Sequence, residues 1–205
     1  MASLLVGIAG GSGSGKTTLA KAVAETMAPG QVVVIPHDAY YRDLGHLTFE
    51  ERVVCNFDEP AALDNERLLH DLRALRAGRP MAQPSYDFAS HTRRSETTRV
   101  EPCAVVLVEG ILVLAIPELR AMLEVKVFVE TCERVRLSRR IERDRAERGR
   151  TREGSEAQFL HQTRPMHVLH VEPSRVHADI VVSGEGSVAH AAEAVTADLR
   201  RRLAP

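Results

Sequence analysis

Short, continuous apolar runs separated by stretches of helical periodicity dominate the pattern of hydrophobic positions. Five runs consist almost entirely of apolar residues, at 4–9, 32–35, 104–108, 125–129 and 178–182. Continuous runs of this kind are typical of parallel strands that are covered on both faces. Helical stretches lie between or after them, at 19–27, 65–77, 117–123, 134–148, 154–170 and 188–203. The alternation predicts a three-layer α/β fold with a five-stranded parallel sheet.

Residues 79–102 interrupt this alternation. The segment contains three prolines, several serines and threonines, and the cluster SYDFASHTRR. Such residues punctuate regular structure, so the segment predicts a β-hairpin or loop insertion and not a crossover helix. No repeat or linker divides the chain, and its 205 residues fit one compact unit. We therefore expect a single domain over residues 1–205.

Composition and charge exclude several classes of protein. A net charge of −1 gives no general reason to expect nucleic acid or an anionic membrane as a partner. No apolar run approaches the roughly 20 residues that span a bilayer, and the first residues lack the basic segment of a secretion signal. Three cysteines without CxxC spacing predict neither a disulfide framework nor a zinc site. We expect a cytoplasmic protein.

The loop GGSGSGKT follows the first apolar run and precedes the first helical stretch. This is the context that the phosphate-binding pattern G-x-x-x-x-G-K-[ST] requires, although a flexible Gly/Ser turn is the alternative. Glycines let backbone N–H groups surround phosphates, the lysine reaches the β- and γ-phosphates, and the threonine hydroxyl binds Mg²⁺. The motif predicts a site for ATP and Mg²⁺. The residues expected to bind the nucleotide are Gly10, Gly11, Ser12, Gly13, Ser14, Gly15, Lys16, Thr17 and Thr18.

Two acidic residues follow apolar runs at the sheet edge where this loop is expected. Glu109 comes directly after the third run, and Asp38 follows the second run at a short distance. Phosphoryl transfer with Mg²⁺ needs carboxylates at this carboxyl edge. Either residue could instead be a solvated acid at the end of a strand.

Positive charge is concentrated in residues 134–152, where nine arginines stand against three acidic residues. A solvated helix face is one interpretation of such a stretch. From Glu142 to Arg152, however, Ala146 is the only apolar residue, so this end of the helix has little to bury. A basic helix end of that kind is typical of a lid that closes over phosphates. We therefore expect an arginine-rich helical lid over residues 134–152.

Other classes of nucleotide-binding protein fit the sequence less well. A GTPase should carry an N-K-x-D motif, and none of Lys16, Lys21 and Lys126 follows an asparagine. Motor and assembly ATPases usually have an Asp-Glu pair at the end of the Walker-B strand. Here the corresponding Glu109 is followed by Gly110. Small-molecule kinases remain.

At the level of whole motifs the chain resembles the uridine kinase (uridine-cytidine kinase) family. The resemblance spans about 175 residues and is ordered along the chain. It rests on GIAGGSGSGKTT at 7–18, HDAYYRDLGHL at 37–47, NFDEPAALDNE at 56–66, SYDFASHTR at 85–93, LVEGIL at 107–112, RLSRRIERDRAERGR at 136–150 and RPMHVLHVEPSRVHADIVV at 164–182. It implies transfer of phosphate from ATP to the 5′-hydroxyl of uridine and cytidine.

The resemblance also implies roles for individual residues. Asp38 matches the general base, and it joins Thr17 and Glu109 around Mg²⁺. Lys16, Arg143 and Arg148 match residues that act on the transferred phosphate. The residues matched to the nucleoside site are Asp58, Tyr86, Phe88, His91, Ile111, Arg140, Arg150 and Gln158.

For the hairpin the residues alone allow a simpler interpretation. Tyr86 and Phe88 alternate as the inward face of a hairpin would, His91 could be a surface turn residue, and Gln158 could be one more polar helix position. With the resemblance we expect them to contact the substrate, and Asp58 to hold the ribose hydroxyls, because a carboxylate can accept from two O–H groups. A neutral His91 could donate to uracil or accept from cytosine.

One segment departs from the family's pattern. After the last strand the family usually has Pro-Arg-Gly-Gly, whereas residues 183–187 are SGEGS. The choice of ATP over GTP therefore stays open. The alternatives are a related kinase of phosphoribulokinase or pantothenate kinase type, and a nucleotide-binding regulator without catalysis. The resemblance also implies a homotetramer.

Overall fold

A computed structural model describes residues 3–204. Five parallel strands form the central sheet in the order β2-β5-β1-β6-β7. The expected α/β fold with a five-stranded parallel sheet is confirmed. Its strands are β1 (Leu4–Gly10), β2 (Val32–Pro36), β5 (Val105–Glu109), β6 (Val125–Glu130) and β7 (Ile180–Ser183).

Helices cover both faces of the sheet. The named helices are α1 (Lys16–Thr26), α2 (Phe49–Val53), α3 (Asn65–Arg76), α4 (Pro117–Met122), α5 (Glu133–Glu147), α6 (Arg152–Gln158) and α7 (Val188–Leu203). Residues 3–204 include no helix long and apolar enough to cross a membrane.

Alternate residues of the central strands β1 and β5 enter two separate cores, which explains the continuous apolar runs of these two strands. Leu5 and Val106 lie in the core beneath α3 and α4. Val6 and Leu107 lie in the core beneath α1 and α7. Because both strand faces are buried, neither face needs polar residues.

The carboxyl edge of the sheet brings the expected acidic residues together. Glu109 ends β5 and stands in register with Pro36 of β2 on one side and Ile8 of β1 on the other. A short 3₁₀ helix, His37–Tyr40, follows β2 and carries Asp38. The loop after β1 therefore lies beside both carboxylates.

The segment that broke the alternation forms the hairpin expected in the fold. Strands β3 (Met81–Asp87) and β4 (Thr92–Val100) pair antiparallel outside the main sheet. The turn contains His91 at φ 56°, the only positive φ at a non-glycine residue among residues 3–204. Arg93 donates to the carbonyl of Tyr41 at 2.8 Å and ties the hairpin to the turn that follows β2.

The helix expected at 154–170 is longer and less regular than the sequence indicates. After α6 the chain stays helical to residue 177, and two of its turns, Phe159–Thr163 and His167–Val171, are π-helical. Pro165 and Pro173 follow these two turns. A proline lacks the N–H for an α-helical bond and its ring clashes with the carbonyl four residues earlier, which a wider turn relieves.

Candidate active site

The loop between β1 and α1 has the conformation that phosphate binding requires. Gly15 adopts φ 98° and immediately precedes α1, whose Leu19 N–H donates to the Gly15 carbonyl at 2.9 Å. Gly13 adopts φ 79°, and a side chain there would collide with the backbone carbonyl of Arg136. Glycine is therefore required at Gly13 both by φ and by space. The free N–H groups at the start of α1 form an anion site.

Four polar side chains gather where the loop meets the sheet edge. Thr17 Oγ1 donates to Glu109 Oε1 at 3.0 Å. Burial lowers the pKa of Lys16, while the nearby carboxylates of Glu109 and Asp38 oppose that shift. Burial also raises the pKa of Glu109, and the charge of Lys16 opposes it. A cation, a hydroxyl and two acids thus lie close together at the sheet edge, where Lys16 and Glu109 are buried and Thr17 is exposed.

A cavity extends from Lys16 and Asp38 toward the hairpin. It contains every residue that was matched to the nucleoside site and both arginines that were matched to the phosphate. Its walls are Ser12, Lys16, Asp38, Tyr41, Phe57, Asp58, Tyr86, Phe88, His91, Ile111, Arg140, Arg143, Arg148, Arg150 and Gln158.

An aromatic cluster forms the far end of this cavity. Phe57 stacks on the His91 ring with centroids 4.9 Å apart. Tyr41 lies 5.3 Å from Phe57 and 5.2 Å from Tyr86, and Tyr86 lies 5.5 Å from Phe88. The Tyr86 hydroxyl is buried and finds no partner among residues 3–204. Planar faces and one free hydroxyl suit a flat heterocycle with polar edges.

The basic helix end folds around one buried carboxylate. Asp144 is fully buried and accepts from Arg143 Nη2 at 2.8 Å and from Arg150 Nη1 at 3.3 Å. Arg140 and Arg148 lie 3.5 and 3.8 Å from the same carboxylate. Burial alone would raise the pKa of Asp144, but the charge and hydrogen bonds of Arg143, with Arg140 and Arg148, hold it below its usual value. Four arginines and one carboxylate leave an excess of positive charge beside the phosphate loop.

Three contacts join this arginine group to the rest of the cavity. Arg140 donates to the Ser12 hydroxyl at 3.0 Å and to Gln158 Oε1 at 2.8 Å. The Arg148 guanidinium lies 4.8 Å from the centre of the Phe88 ring. The loop, the basic helix and the hairpin therefore meet around one space.

A second cavity lies on the other side of the loop, at the start of α7. Arg139 donates to the carbonyl of Gly184 at 2.9 Å and borders this space together with Thr18. The atypical segment 183–187 contributes Ser183 and Gly184 to its wall. This cavity opens beside Gly15 and shares no wall residue with the cavity that contains Asp38.

A model of the Phosphoribulokinase / Uridine kinase family matches residues 5–190. The chain belongs to this family. A uridine kinase of Staphylococcus epidermidis is 46% identical over 183 residues, which cover 89% of the chain and 88% of that relative. A uridine kinase of Chloroflexus aurantiacus is 44% identical over 200 residues, covering 98% of the chain and 96% of the relative.

A solved structure supports the fold independently. The phosphoribulokinase from Rhodobacter spheroides is 16% identical, and it superposes with a TM-score of 0.66 over 88% of this chain and 70% of that one. The identity is too low to say more than that the fold is shared. The resemblance inferred from the motifs is confirmed by the family model and the relatives, and as a member of this family of kinases the protein takes a nucleotide as its phosphate donor.

Sequence reasoning missed three residues of this kinase's site. Tyr41 and Phe57 belong to the aromatic cluster. They lie in the motifs at 37–47 and 56–66, and the resemblance assigns neither of them a role. Asp144 was counted only as one acid among many arginines. Its spacing of four residues from both Arg140 and Arg148 was the available signal, since residues i and i+4 share a helix face. The expectation that this helix end has little to bury is corrected: it buries a carboxylate.

Proposed function

We propose that this kinase transfers the γ-phosphoryl group of ATP to the 5′-hydroxyl of uridine and cytidine, forming UMP and CMP. The observation that carries the proposal is the single cavity that Lys16 and Asp38 share with Asp58 and the aromatic cluster. One end of the cavity has a phosphate-binding lysine, and the other end has a polar and aromatic wall that suits a nucleoside. This arrangement matches a reaction between a triphosphate and a nucleoside. The uridine kinases that cover almost the whole chain support the choice of uridine.

Asp38 is the proposed general base. It lines the cavity between Lys16 and the hairpin, where a nucleoside hydroxyl would approach the γ-phosphate. Its carboxylate would take the proton from the 5′-hydroxyl during attack, a role that typically contributes about 10²–10⁴-fold to the rate. Lys16, Arg143 and Arg148 would stabilise the charge that spreads over the transferred group.

Thr17, Glu109 and Asp38 are the proposed ligands of Mg²⁺. The contact between the Thr17 hydroxyl and Glu109 shows that two hard oxygen donors already lie side by side. Mg²⁺ in kinases is usually held by one or two carboxylates together with substrate phosphates and water. When bound, it would neutralise phosphate charge, while the hydrogen bond from Thr17 to Glu109 joins the loop to the sheet edge.

Asp58 is the proposed partner of the ribose hydroxyls, and the aromatic cluster is the proposed site of the base. Ile111 would add an apolar contact, with Arg140, Arg150 and Gln158 on the side of the sugar. A sugar phosphate or pantothenate would call for a different wall, because neither offers a flat ring for stacking. The cavity therefore favours a nucleoside over the substrates of related kinases.

His91 bears on the choice between the two pyrimidines. Burial lowers the pKa of His91, and the charges of Arg150 and Arg148 lower it further. A neutral imidazole has one donor and one acceptor nitrogen, so its tautomers suit either uracil O4 or the cytosine amino group. Both nucleosides are therefore proposed as substrates.

The second cavity is the proposed site of the donor's base. It borders Gly15 and Thr18 of the phosphate loop and is separate from the cavity that holds Asp38. ATP is the proposed donor, with GTP as the alternative, since residues 183–187 differ from the family's usual segment.

The direct test is a coupled assay of ADP release with four acceptors: uridine, cytidine, ribulose 5-phosphate and pantothenate. The proposal expects turnover with the two pyrimidine nucleosides and background rates with the other two. The same assay with GTP in place of ATP would show which of the two nucleotides is the phosphate donor. Turnover with neither nucleoside would overturn the proposal. Activity with ribulose 5-phosphate or pantothenate would support a related kinase, and tight ATP binding without any turnover would support a regulator.

We also propose a homotetramer, which the family resemblance implies, and a cytoplasmic location, which the sequence predicts. Size-exclusion chromatography with light scattering would give the mass directly. The mass of one chain is 22.6 kDa, so a dimer and a tetramer are easily separated.

A further inference from the structure

A hydroxyl from the irregular helix holds the carboxylate that faces the ribose. Thr163 Oγ1 donates to Asp58 Oδ2 at 2.7 Å. Asp58 lines the main cavity, whereas Thr163 is buried behind it and does not line it. An ionised carboxylate only accepts, so the threonine must be the donor.

The π-helical turn is what brings Thr163 to this position. In an α-helix five residues advance about 500°, which would turn Thr163 about 140° away from Gln158. A π-turn is wider and brings residues i and i+5 close to the same face. Gln158 accordingly reaches the cavity wall, and Thr163 reaches Asp58 from the same side of the helix.

The same helix face fastens the rest of the loop that carries Asp58. Gln162 Nε2 donates to the carbonyls of Val54 and Cys55, at 3.4 and 3.3 Å. Asn56 Oδ1 accepts from the Asp58 backbone N–H at 3.1 Å. The backbone of the loop is therefore held separately, and Thr163 acts on the Asp58 side chain itself.

We propose that Thr163 is a positioning residue: it orients the Asp58 carboxylate toward the two ribose hydroxyls and thereby favours ribonucleosides over 2′-deoxyribonucleosides. The proposal rests on the proposed function, in which Asp58 binds the ribose. Thr163 occupies one acceptor position on Oδ2. Asp58 lines the cavity, and the remaining lone pairs of Oδ1 and Oδ2 are available to vicinal hydroxyls.

Arg140 explains why such a restraint matters. It lines the same cavity, and burial lowers the pKa of its guanidinium while the nearby Asp58 carboxylate raises it. The terminal torsion of an aspartate is broad, so a carboxylate without the Thr163 bond can rotate. Rotation toward Arg140 would pair the carboxylate with a buried cation and withdraw it from the sugar.

The test compares two pairs of residues at position 163 that differ in the hydroxyl: wild-type against Thr163→Val, and Thr163→Ser against Thr163→Ala. KM and kcat would be measured for uridine, 2′-deoxyuridine and ATP. In each pair we expect loss of the hydroxyl to raise the KM for uridine about five- to tenfold and to lower the preference for uridine over 2′-deoxyuridine about threefold or more. The KM for ATP should change less than twofold.

A buried threonine away from the cavity provides the control. Thr196 donates to the carbonyl of Ala192 at 2.8 Å in α7. Thr196→Val should shift the melting temperature without changing the KM for uridine. If Thr163→Val does not fold, the Ser/Ala pair gives the same comparison.

The outcomes separate this proposal from the function itself. Wild-type protein without uridine turnover would overturn the proposed function. The wild-type could be active while loss of the hydroxyl at position 163 leaves the KM for uridine, or the preference for uridine over 2′-deoxyuridine, unchanged. That result would overturn only the role of Thr163. Equal increases in KM for both nucleosides would also overturn it, because a general loss of packing does not distinguish the sugars.

Discussion

The Thr17 hydroxyl donates to the Glu109 carboxylate at 3.0 Å, across 92 positions of sequence. The contact joins the first residues of α1 to the end of β5, two neighbouring parts of the sheet edge. Burial raises the pKa of Glu109 even though Lys16 is close. A divalent cation at this pair would bind the neutral hydroxyl oxygen of Thr17 and the ionised carboxylate of Glu109.

The raised pKa of Glu109 predicts an unusual pH dependence of metal binding. A carboxyl with a raised pKa becomes protonated at a higher pH than an ordinary glutamate of pKa about 4.3, and the protonated form is a poor ligand. As the pH is lowered, we expect the Mg²⁺ concentration for half-maximal rate to begin rising at a higher pH than it would for an ordinary glutamate ligand. Glu109→Gln should need more Mg²⁺ at every pH and should respond to pH only through the nucleotide. Identical pH responses of the two proteins would contradict the prediction.

Replacement of Asp144 should lower both the free energy of unfolding and the rate of phosphoryl transfer. Asp144→Asn keeps the volume but leaves four arginines without their shared anion, which should cost about 2–4 kcal/mol of unfolding free energy. Urea unfolding would measure this cost, with the exposed Glu142→Gln on the same helix as the control. The variant should also lower kcat about tenfold, because Arg143 and Arg148 lose their orientation. A stability and a kcat both equal to those of Glu142→Gln would refute the role.

The direction of the Asp144 pKa sets the pH range of that stabilisation. A carboxyl whose folded pKa is lowered stabilises the fold above its unfolded pKa of about 3.9 and loses this contribution as the pH falls through the folded value. The difference between wild-type and Asp144→Asn should therefore stay constant from pH 8 to pH 5. It should shrink only below about pH 4.

Two glycines in residues 183–187, Gly184 and Gly186, allow a matched pair of substitutions that tests the proposed donor site. A side chain at Gly184 would collide with the Ser14 carbonyl and the Thr131 hydroxyl, whereas one at Gly186 would meet nothing within 4 Å. Gly184→Ala should push the segment away from the phosphate loop and raise the KM for ATP about tenfold or more. Gly186→Ala should leave it within twofold. Similar KM values for the two variants would show that the contact with Ser14 does not matter for the donor.

The sequence predicts the sheet and its chemistry well because both depend on local patterns. Each apolar run overlaps a strand of the sheet, and burial on both faces explains the continuous hydrophobicity of the central strands β1 and β5. Glu109 and Asp38 were predicted near the phosphate loop because parallel strands end at one edge. The structure brings them there through the register of Pro36 and Ile8 with Glu109.

Features that depend on contacts between distant segments were not predictable. The stacking of Phe57 on His91 needs the hairpin to fold over a separate loop. The bond between Thr163 and Asp58 needs a π-turn, and the position of Pro165 indicates an irregularity without specifying its kind. Such contacts follow from packing and not from local preference.

Mass spectrometry of the products from uridine and ATP, with wild-type protein and Asp38→Asn, tests the central claim most directly. The exposed Glu50→Gln on α2 serves as the control. The account predicts that the wild-type and the control each form one UMP for every ADP. It predicts a rate at least about 10²-fold lower from Asp38→Asn, with ATP binding retained. Absence of UMP with the wild-type, or UMP formation by Asp38→Asn at the wild-type rate, would contradict it.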